Sequence, residues 1–128
     1  MKTKIAFLSF FLFISSFGFA QKAYETFYYS GKVQNITVLF SLADGYMGAN
    51  QIKTTDNTSK KISQFLPASG APTSNLKMKF YHYSKSGKKF TDYFILEGID
   101  ESYNELPEKI IGKYYFNNKE YNLILLKQ

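Results

Sequence analysis

The feature that most constrains this 128-residue chain is an alternation of side-chain character with a period of two residues. It is clearest over residues 76–83, which read LKMKFYHY. One set of positions is Leu76, Met78, Phe80 and His82, and the other is Lys77, Lys79, Tyr81 and Tyr83. Successive side chains of a β-strand point to opposite faces of the sheet. This spacing therefore predicts a strand with one buried and one solvated face.

Seven segments have this alternation or a strand-like composition, and turn signals separate several of them. They are residues 24–30, 32–42, 46–53, 76–83, 89–98, 109–116 and 120–127. Asp44-Gly45, the segment 84–88 and Asn117-Asn118 supply turn residues between them. Consecutive hairpins favour an antiparallel meander. Because exposed strand edges have to be hidden, we predict closure into a small barrel or folding into a two-layer sandwich.

The segment 60–66 is ambiguous between a helix and a strand. Ile62, Phe65 and Leu66 have the i, i+3, i+4 spacing of a short amphipathic helix, which Pro67 would end. In a strand, Ile62 and Leu66 would instead point to one face and Phe65 to the other. We predict the helix, so the expected fold is mostly β, with about seven strands and one short helix.

The first twenty residues carry the three parts of a secretory signal peptide. Lys2 and Lys4 precede an uncharged run over residues 5–17, and Gly18-Phe19-Ala20 has small residues at the cleavage positions. We predict cleavage between Ala20 and Gln21 and export of a single domain, residues 21–128, to the periplasm or the extracellular space. The alternative is a retained anchor, but the uncharged run to Gln21 is at the short end of the ~17–25 residues that span a bilayer. We expect no stable membrane insertion after cleavage.

The residue types that are missing exclude several kinds of site. The chain has no cysteine, no arginine, no tryptophan and a single histidine, His82. Disulfides, thiolate nucleophiles and cysteine-ligated metals cannot form, so the seven Phe and eleven Tyr after residue 20 have to supply an aromatic core. We interpret His82 as a buried histidine that is hydrogen-bonded to a neighbouring tyrosine or a backbone carbonyl, with a general base as the alternative. We expect no enzyme, cofactor or metal, and a hydrolase is the last of our functional hypotheses.

Charge is unevenly distributed along the chain. After the leader, 14 Lys and 10 acidic residues leave a net charge of +4, yet residues 75–91 carry +5 and residues 92–108 carry −6. Such polarity steers a complementary partner. Lysines on a strand can instead protect a sheet edge. We do not predict nucleic-acid binding, because the exclusive use of Lys and the abundance of Asn and Phe are typical of a compositional bias of a bacterial genome.

Two binding functions of different classes stay open. The preferred hypothesis is recognition of a protein with an acidic or mixed-charge surface, as an accessory or immunity-type envelope protein. Its predicted contact residues are Lys77, Lys79, Tyr81, Tyr83, Lys85, Lys88 and Lys89. The alternative is a small apolar or aromatic ligand inside a barrel. Its predicted lining is Phe80, His82, Phe94 and Tyr114.

The succession of hairpins resembles the lipocalin-like and avidin-like meander barrels in architecture alone. The glycine-x-tryptophan signature of lipocalins cannot occur here, because the chain has no tryptophan. The resemblance therefore implies a barrel and no binding residues.

Overall fold

The computed structural model describes residues 24–128, which form a closed antiparallel barrel of eight strands. The strands are β1 (Glu25–Val33), β2 (Ile36–Asp44), β3 (Gln51–Asp56), β4 (Ile62–Pro67), β5 (Lys77–Tyr83), β6 (Tyr93–Glu97), β7 (Lys109–Phe116) and β8 (Lys119–Lys127). Each strand pairs with the next one in sequence, and β8 pairs with β1. The prediction of a mostly β, antiparallel meander is confirmed, and of the two predicted forms, barrel and sandwich, the structure shows the barrel.

Within residues 24–128 the helical content is one 3₁₀ turn, Met47–Ala49, between β2 and β3. No helix in this part of the chain has the length and apolar character needed to cross a bilayer. The signal peptide predicted for residues 1–20 and its cleavage site lie outside the described residues.

The predicted helix over residues 60–66 is wrong, and the eighth strand, β4, lies there instead. Phe65 points into the barrel and is 1% exposed, whereas Ile62 points outward and is 68% exposed. The i, i+3, i+4 spacing was therefore coincidental. β4 pairs with both β3 and β5, and a helix here would leave the backbone groups of both strands unpaired.

Strand boundaries also differ from the predictions at the first hairpin. β1 continues through Gly31 to Val33, and the turn lies at Gln34 and Asn35, so β2 begins at Ile36. Gly31 is part of the barrel seam, since a Cβ atom there would lie 2.2 Å from the backbone oxygen of Ile124 in β8. The glycine allows β1 and β8 to approach closely enough to pair.

Side chains from opposite walls fill the interior of the barrel. The ring of Phe40 on β2 meets that of Phe80 on β5 edge-on at 5.7 Å, although these strands are not neighbours. Phe65 on β4 packs in the same way against Phe94 on β6 at 4.8 Å. These four rings are at most 1% exposed. The predicted aromatic core is therefore present, and the rings occupy the space at its centre.

Candidate functional site at the basic end

Because the strands run up and down in sequence, the loops alternate between the two ends of the barrel. The loops at residues 34–35, 57–61, 84–92 and 117–118 share one end, which we call the basic end. Its loops contain Lys60, Lys61, Lys85, Lys88 and Lys89. The loops of the opposite end contain Asp100, Glu101, Glu105 and Glu108 and no lysine. The charge segregation seen along the sequence thus becomes a polarity along the barrel axis.

The predicted contact residues of the β5 hairpin all lie on the surface. Lys77, Lys79, Tyr81 and Tyr83 point outward from β5, and Lys85, Lys88 and Lys89 follow in the loop 84–92. Together with Tyr93 and Tyr115 of the adjoining strands, we call them the Lys/Tyr surface. Leu76, expected on the inner face, is 41% exposed with a φ of 61°, because it precedes the strand.

Two aromatic residues of this surface, Tyr93 and Tyr115, were not predicted. In the register of the sheet, Tyr81 lies beside Tyr93, and Tyr93 lies beside Tyr115. The rings of Tyr93 and Tyr115 stack at 4.7 Å, and the Nζ of Lys79 lies 4.3 Å from the centre of the Tyr93 ring. The alternation of Tyr93 with inward-facing Phe94 was the available signal.

The lysines of the Lys/Tyr surface differ in how strongly other groups engage them. Lys77 forms an exposed ion pair with Glu97 at 3.6 Å, and Lys79 lies over Tyr93. Lys88 lies over the ring of Phe90, whereas Lys85 and Lys89 form no ion pair with any of the described residues. Lys85 and Lys89 are therefore the positive charges of this surface that remain most available to an acidic partner.

A hydrogen-bonded trio of side chains lies at the mouth of the basic end. The Nδ1 atom of His82 is 2.9 Å from Oδ1 of Asp92, and the hydroxyl of Tyr114 donates to Oδ2 of Asp92 at 2.7 Å. The His82 and Asp92 side chains are each 11% exposed. Our interpretation of His82 named a tyrosine or a carbonyl as its partner, whereas the partner is the carboxylate of Asp92.

Two rings hold the imidazole of His82 in place. Phe65 lies on one side with its ring centre 4.5 Å away, and Phe90 of the loop 84–92 stacks nearly parallel at 3.8 Å. With Nδ1 held by Asp92, the edge that carries Nε2 is left without a protein partner among the described residues. Among the described residues every buried side-chain nitrogen and oxygen has a hydrogen-bond partner. Because Nε2 has no such partner, it is not buried and is open to solvent.

A cavity of about 160 Å³ opens beside this trio. His82, Asp92 and Tyr114 line it, together with Thr54 and Ser63 from β3 and β4. Burial, followed by the hydrogen bond to Asp92, raises the pKa of Tyr114 well above its ordinary value of 10. The phenol therefore stays protonated at neutral pH and keeps donating to Asp92.

The four residues predicted to line a ligand cavity separate into two pairs. Phe80 and Phe94 are 0% exposed and belong to the packed core. His82 and Tyr114 line the cavity at the mouth. The structure thus brings half of the predicted set to an accessible site.

Asp92 is the site residue that the sequence analysis missed. Its signal was its phase, because Asp92, Phe94 and Leu96 alternate in the same way as the inward positions of β5. We treated the acidic residues from 92 to 108 as one charged stretch, which hid its inward position. Within residues 24–128 no three His, Cys, Asp or Glu side chains are grouped closely enough to hold a metal ion.

The acidic loop 98–108 closes the opposite end of the barrel. The hydroxyl of Tyr29 donates to the carbonyl of Pro107 at 2.7 Å, and that of Tyr103 donates to the carbonyl of Gly98 at 2.9 Å. Tyr103 and Leu106 pack against the core. This loop is therefore at the far end of the barrel from the loop lysines.

Comparisons of the chain with protein-family models, with curated proteins and with solved structures found no match.

Proposed function

We propose that this domain is a binding protein that recognises a protein with an acidic or mixed-charge surface through its basic end and the Lys/Tyr surface. The observation that carries the proposal is the location of accessible functional groups. Aromatic rings fill the centre of the barrel, whereas lysines and tyrosines project from one end and one side. A filled core leaves recognition to the exterior of the barrel.

The composition of the Lys/Tyr surface supports a protein partner. Tyrosine is enriched at interface hot spots, and Tyr81 and Tyr83 are 44% and 38% exposed. The loop lysines Lys85, Lys88 and Lys89 extend the same strand at its end. A cluster of like charge steers an oppositely charged partner and raises the association rate, most strongly at low salt. The domain would meet this partner after export, as an accessory or immunity-type protein.

A small apolar ligand inside the barrel is the less well supported alternative. Phe80 and Phe94, two of its four predicted lining residues, pack against Phe40 and Phe65. The cavity beside His82 is about 160 Å³, whereas pockets for drug-sized ligands have volumes of roughly 300–1,000 Å³.

The test is affinity capture from the secreted fraction of the source organism with the domain 21–128 as bait. A charge-reversal variant carries Lys85→Glu and Lys89→Glu. A matched control carries Lys109→Glu and Lys127→Glu, which are exposed and lie at the opposite end of the barrel, away from β5. Both variants change the net charge equally, so a difference between them reports position rather than total charge.

We expect one or a few proteins to be captured by the wild type and the control and lost from the reversal variant. With the purified partner, the reversal should slow association by about tenfold or more, and added salt should reduce the difference. Equal capture by both variants would contradict the proposal. Failure to capture any protein reproducibly, with a co-purified small molecule instead, would favour the alternative.

A further inference from the structure

The positions of the protons in the trio at the barrel mouth determine which ligands the adjoining cavity can bind. An ionised carboxylate is an acceptor only, so each of its two contacts requires a donor. Tyr114 donates its hydroxyl proton to Oδ2 of Asp92, and the 2.9 Å contact to Oδ1 fits the tautomer of His82 that carries its proton on Nδ1. Asp92 therefore accepts both of the hydrogen bonds that His82 and Tyr114 can donate.

The groups that the trio itself turns to the cavity are consequently acceptors. Nε2 of His82 keeps its lone pair, and the oxygen of Tyr114 can still accept a hydrogen bond. The rings of Phe65 and Phe90 prevent the imidazole from turning another edge to the cavity. An occupant has to supply hydrogen-bond donors to this side of the cavity.

The rest of the lining restricts the occupant further. Ile36 and Phe65 provide an apolar wall, and Thr54 and Ser63 provide hydroxyl groups that bond to no other described residue. Asp56 and Lys61 also line the cavity, so an anion would face the carboxylates of Asp56 and Asp92 and a cation would face Lys61, whereas a hydroxyl group can both donate and accept. An apolar occupant would leave the acceptors without partners, which is costly in an enclosed site. A volume of about 160 Å³ limits the occupant to a compact molecule.

We infer that the cavity bounded by His82, Asp92 and Tyr114 binds a compact, neutral, hydroxyl-rich ligand, namely a single sugar unit. Its hydroxyls donate to Nε2 of His82 and to the oxygen of Tyr114, and its carbon face lies on Phe65 and Ile36. Asp92 is a positioning residue, since both of its oxygens are occupied within the trio.

The sugar unit can be free or can be the end of a longer glycan. A second hollow, of about 330 Å³, adjoins the cavity and shares His82, Ser63 and Lys61 with it. Tyr83 and Phe90 line this hollow, so it offers aromatic surface to further sugar units. An oligosaccharide that binds more tightly than its monosaccharide would identify a glycan end as the ligand.

The test is NMR titration of the domain 21–128 with defined probes. The neutral probes are methyl glucoside, methyl galactoside, N-acetylglucosamine and a short oligosaccharide of whichever sugar binds. Inorganic phosphate and benzyl alcohol represent the anionic and the aromatic classes. We expect at least one neutral sugar to shift the side-chain signals of His82 and Tyr114 saturably, and neither of the other probes to do so.

The Asp92→Asn variant tests which ring nitrogen of His82 carries the proton. The amide of Asn donates where the carboxylate could only accept, so Nδ1 of His82 becomes an acceptor and the proton moves to Nε2. The imidazole nitrogen chemical shifts report this change of tautomer directly. We expect the tautomer to switch, and an unchanged tautomer would contradict this assignment of protons. Because a sugar hydroxyl accepts as well as donates, binding of the sugar should persist in this variant.

Thr54→Val provides a second variant that leaves the trio intact. It removes one hydroxyl from the cavity wall, so it should weaken sugar binding while the tautomer of His82 stays unchanged. The inference is overturned if no neutral sugar binds saturably, if phosphate or benzyl alcohol is preferred, or if Thr54→Val binds the sugar as tightly as the wild type. These results are independent of the protein capture experiment, since none of its variants alters the trio.

Discussion

Replacement of Gly31 by alanine should weaken the seam that closes the barrel. The β1–β8 ladder is short and pairs Tyr29 with Lys127 and Ser30 with Leu126. An added Cβ at residue 31 would lie 2.2 Å from the carbonyl oxygen of Ile124 and 3.2 Å from its carbonyl carbon. The obstacle is the backbone of a paired strand, so it cannot move aside as the end of a flexible side chain can.

The expected cost follows from this geometry. Overpacking of a well-filled interior costs about 1–3 kcal/mol, and a backbone obstacle places Gly31→Ala at the upper end, about 3 kcal/mol. For a domain of this size each kcal/mol lowers the melting temperature by about 4–8 °C, so we expect a decrease of at least about 12 °C.

The measurement is urea unfolding followed by near-ultraviolet circular dichroism, with thermal melts in parallel. The matched control is Gly70→Ala, because an added Cβ at Gly70 meets no atom within 4 Å. Its stability should stay within about 0.5 kcal/mol of the wild type. If Gly31→Ala were as stable as this control, the close approach of β1 and β8, and with it the closure of the barrel, would be refuted.

Two further predictions concern the core. Burial, with smaller contributions from nearby charges, raises the pKa of Tyr29 from 10 to about 12, so its contribution to stability should be constant below pH 10 and be lost as the pH rises from 10 to about 12. Tyr29→Phe should reduce the alkaline loss of stability in urea titrations without abolishing it, because the pKa of Tyr114 is raised as well. An unchanged slope would exclude Tyr29 as a source of the loss. Phe65→Ala should cost about 3–5 kcal/mol, whereas Ile62→Ala should change stability by less than about 0.5 kcal/mol. Equal effects at both positions would contradict the orientation of β4.

The alternation along residues 76–83 predicted β5 correctly because the direction of a side chain in a strand depends only on local backbone geometry. Met78 and Phe80 are buried, and the lysines and tyrosines between them are exposed. The same local rule would have placed Asp92 inside. It was overlooked because its charge suggested a solvated position, and only the partners His82 and Tyr114 make a buried carboxylate tolerable.

The strand over residues 62–67 could not be predicted from its own pattern. Its apolar spacing fits a helix as well as a strand, and the decision comes from the unpaired edges of β3 and β5. Likewise, nothing in the neighbourhood of Gly31 indicates that β8 passes beside it, 93 positions later at Ile124.

The sequence by itself determined the strand order, the aromatic composition of the core and the segregation of charge, because each depends on residue type and on neighbours a few positions apart. The tertiary structure decided that the meander closes, that β4 is a strand, and that His82, Asp92 and Tyr114 meet at one mouth. Those features arise from contacts between residues distant in the chain, where pairing and packing outweigh local preference.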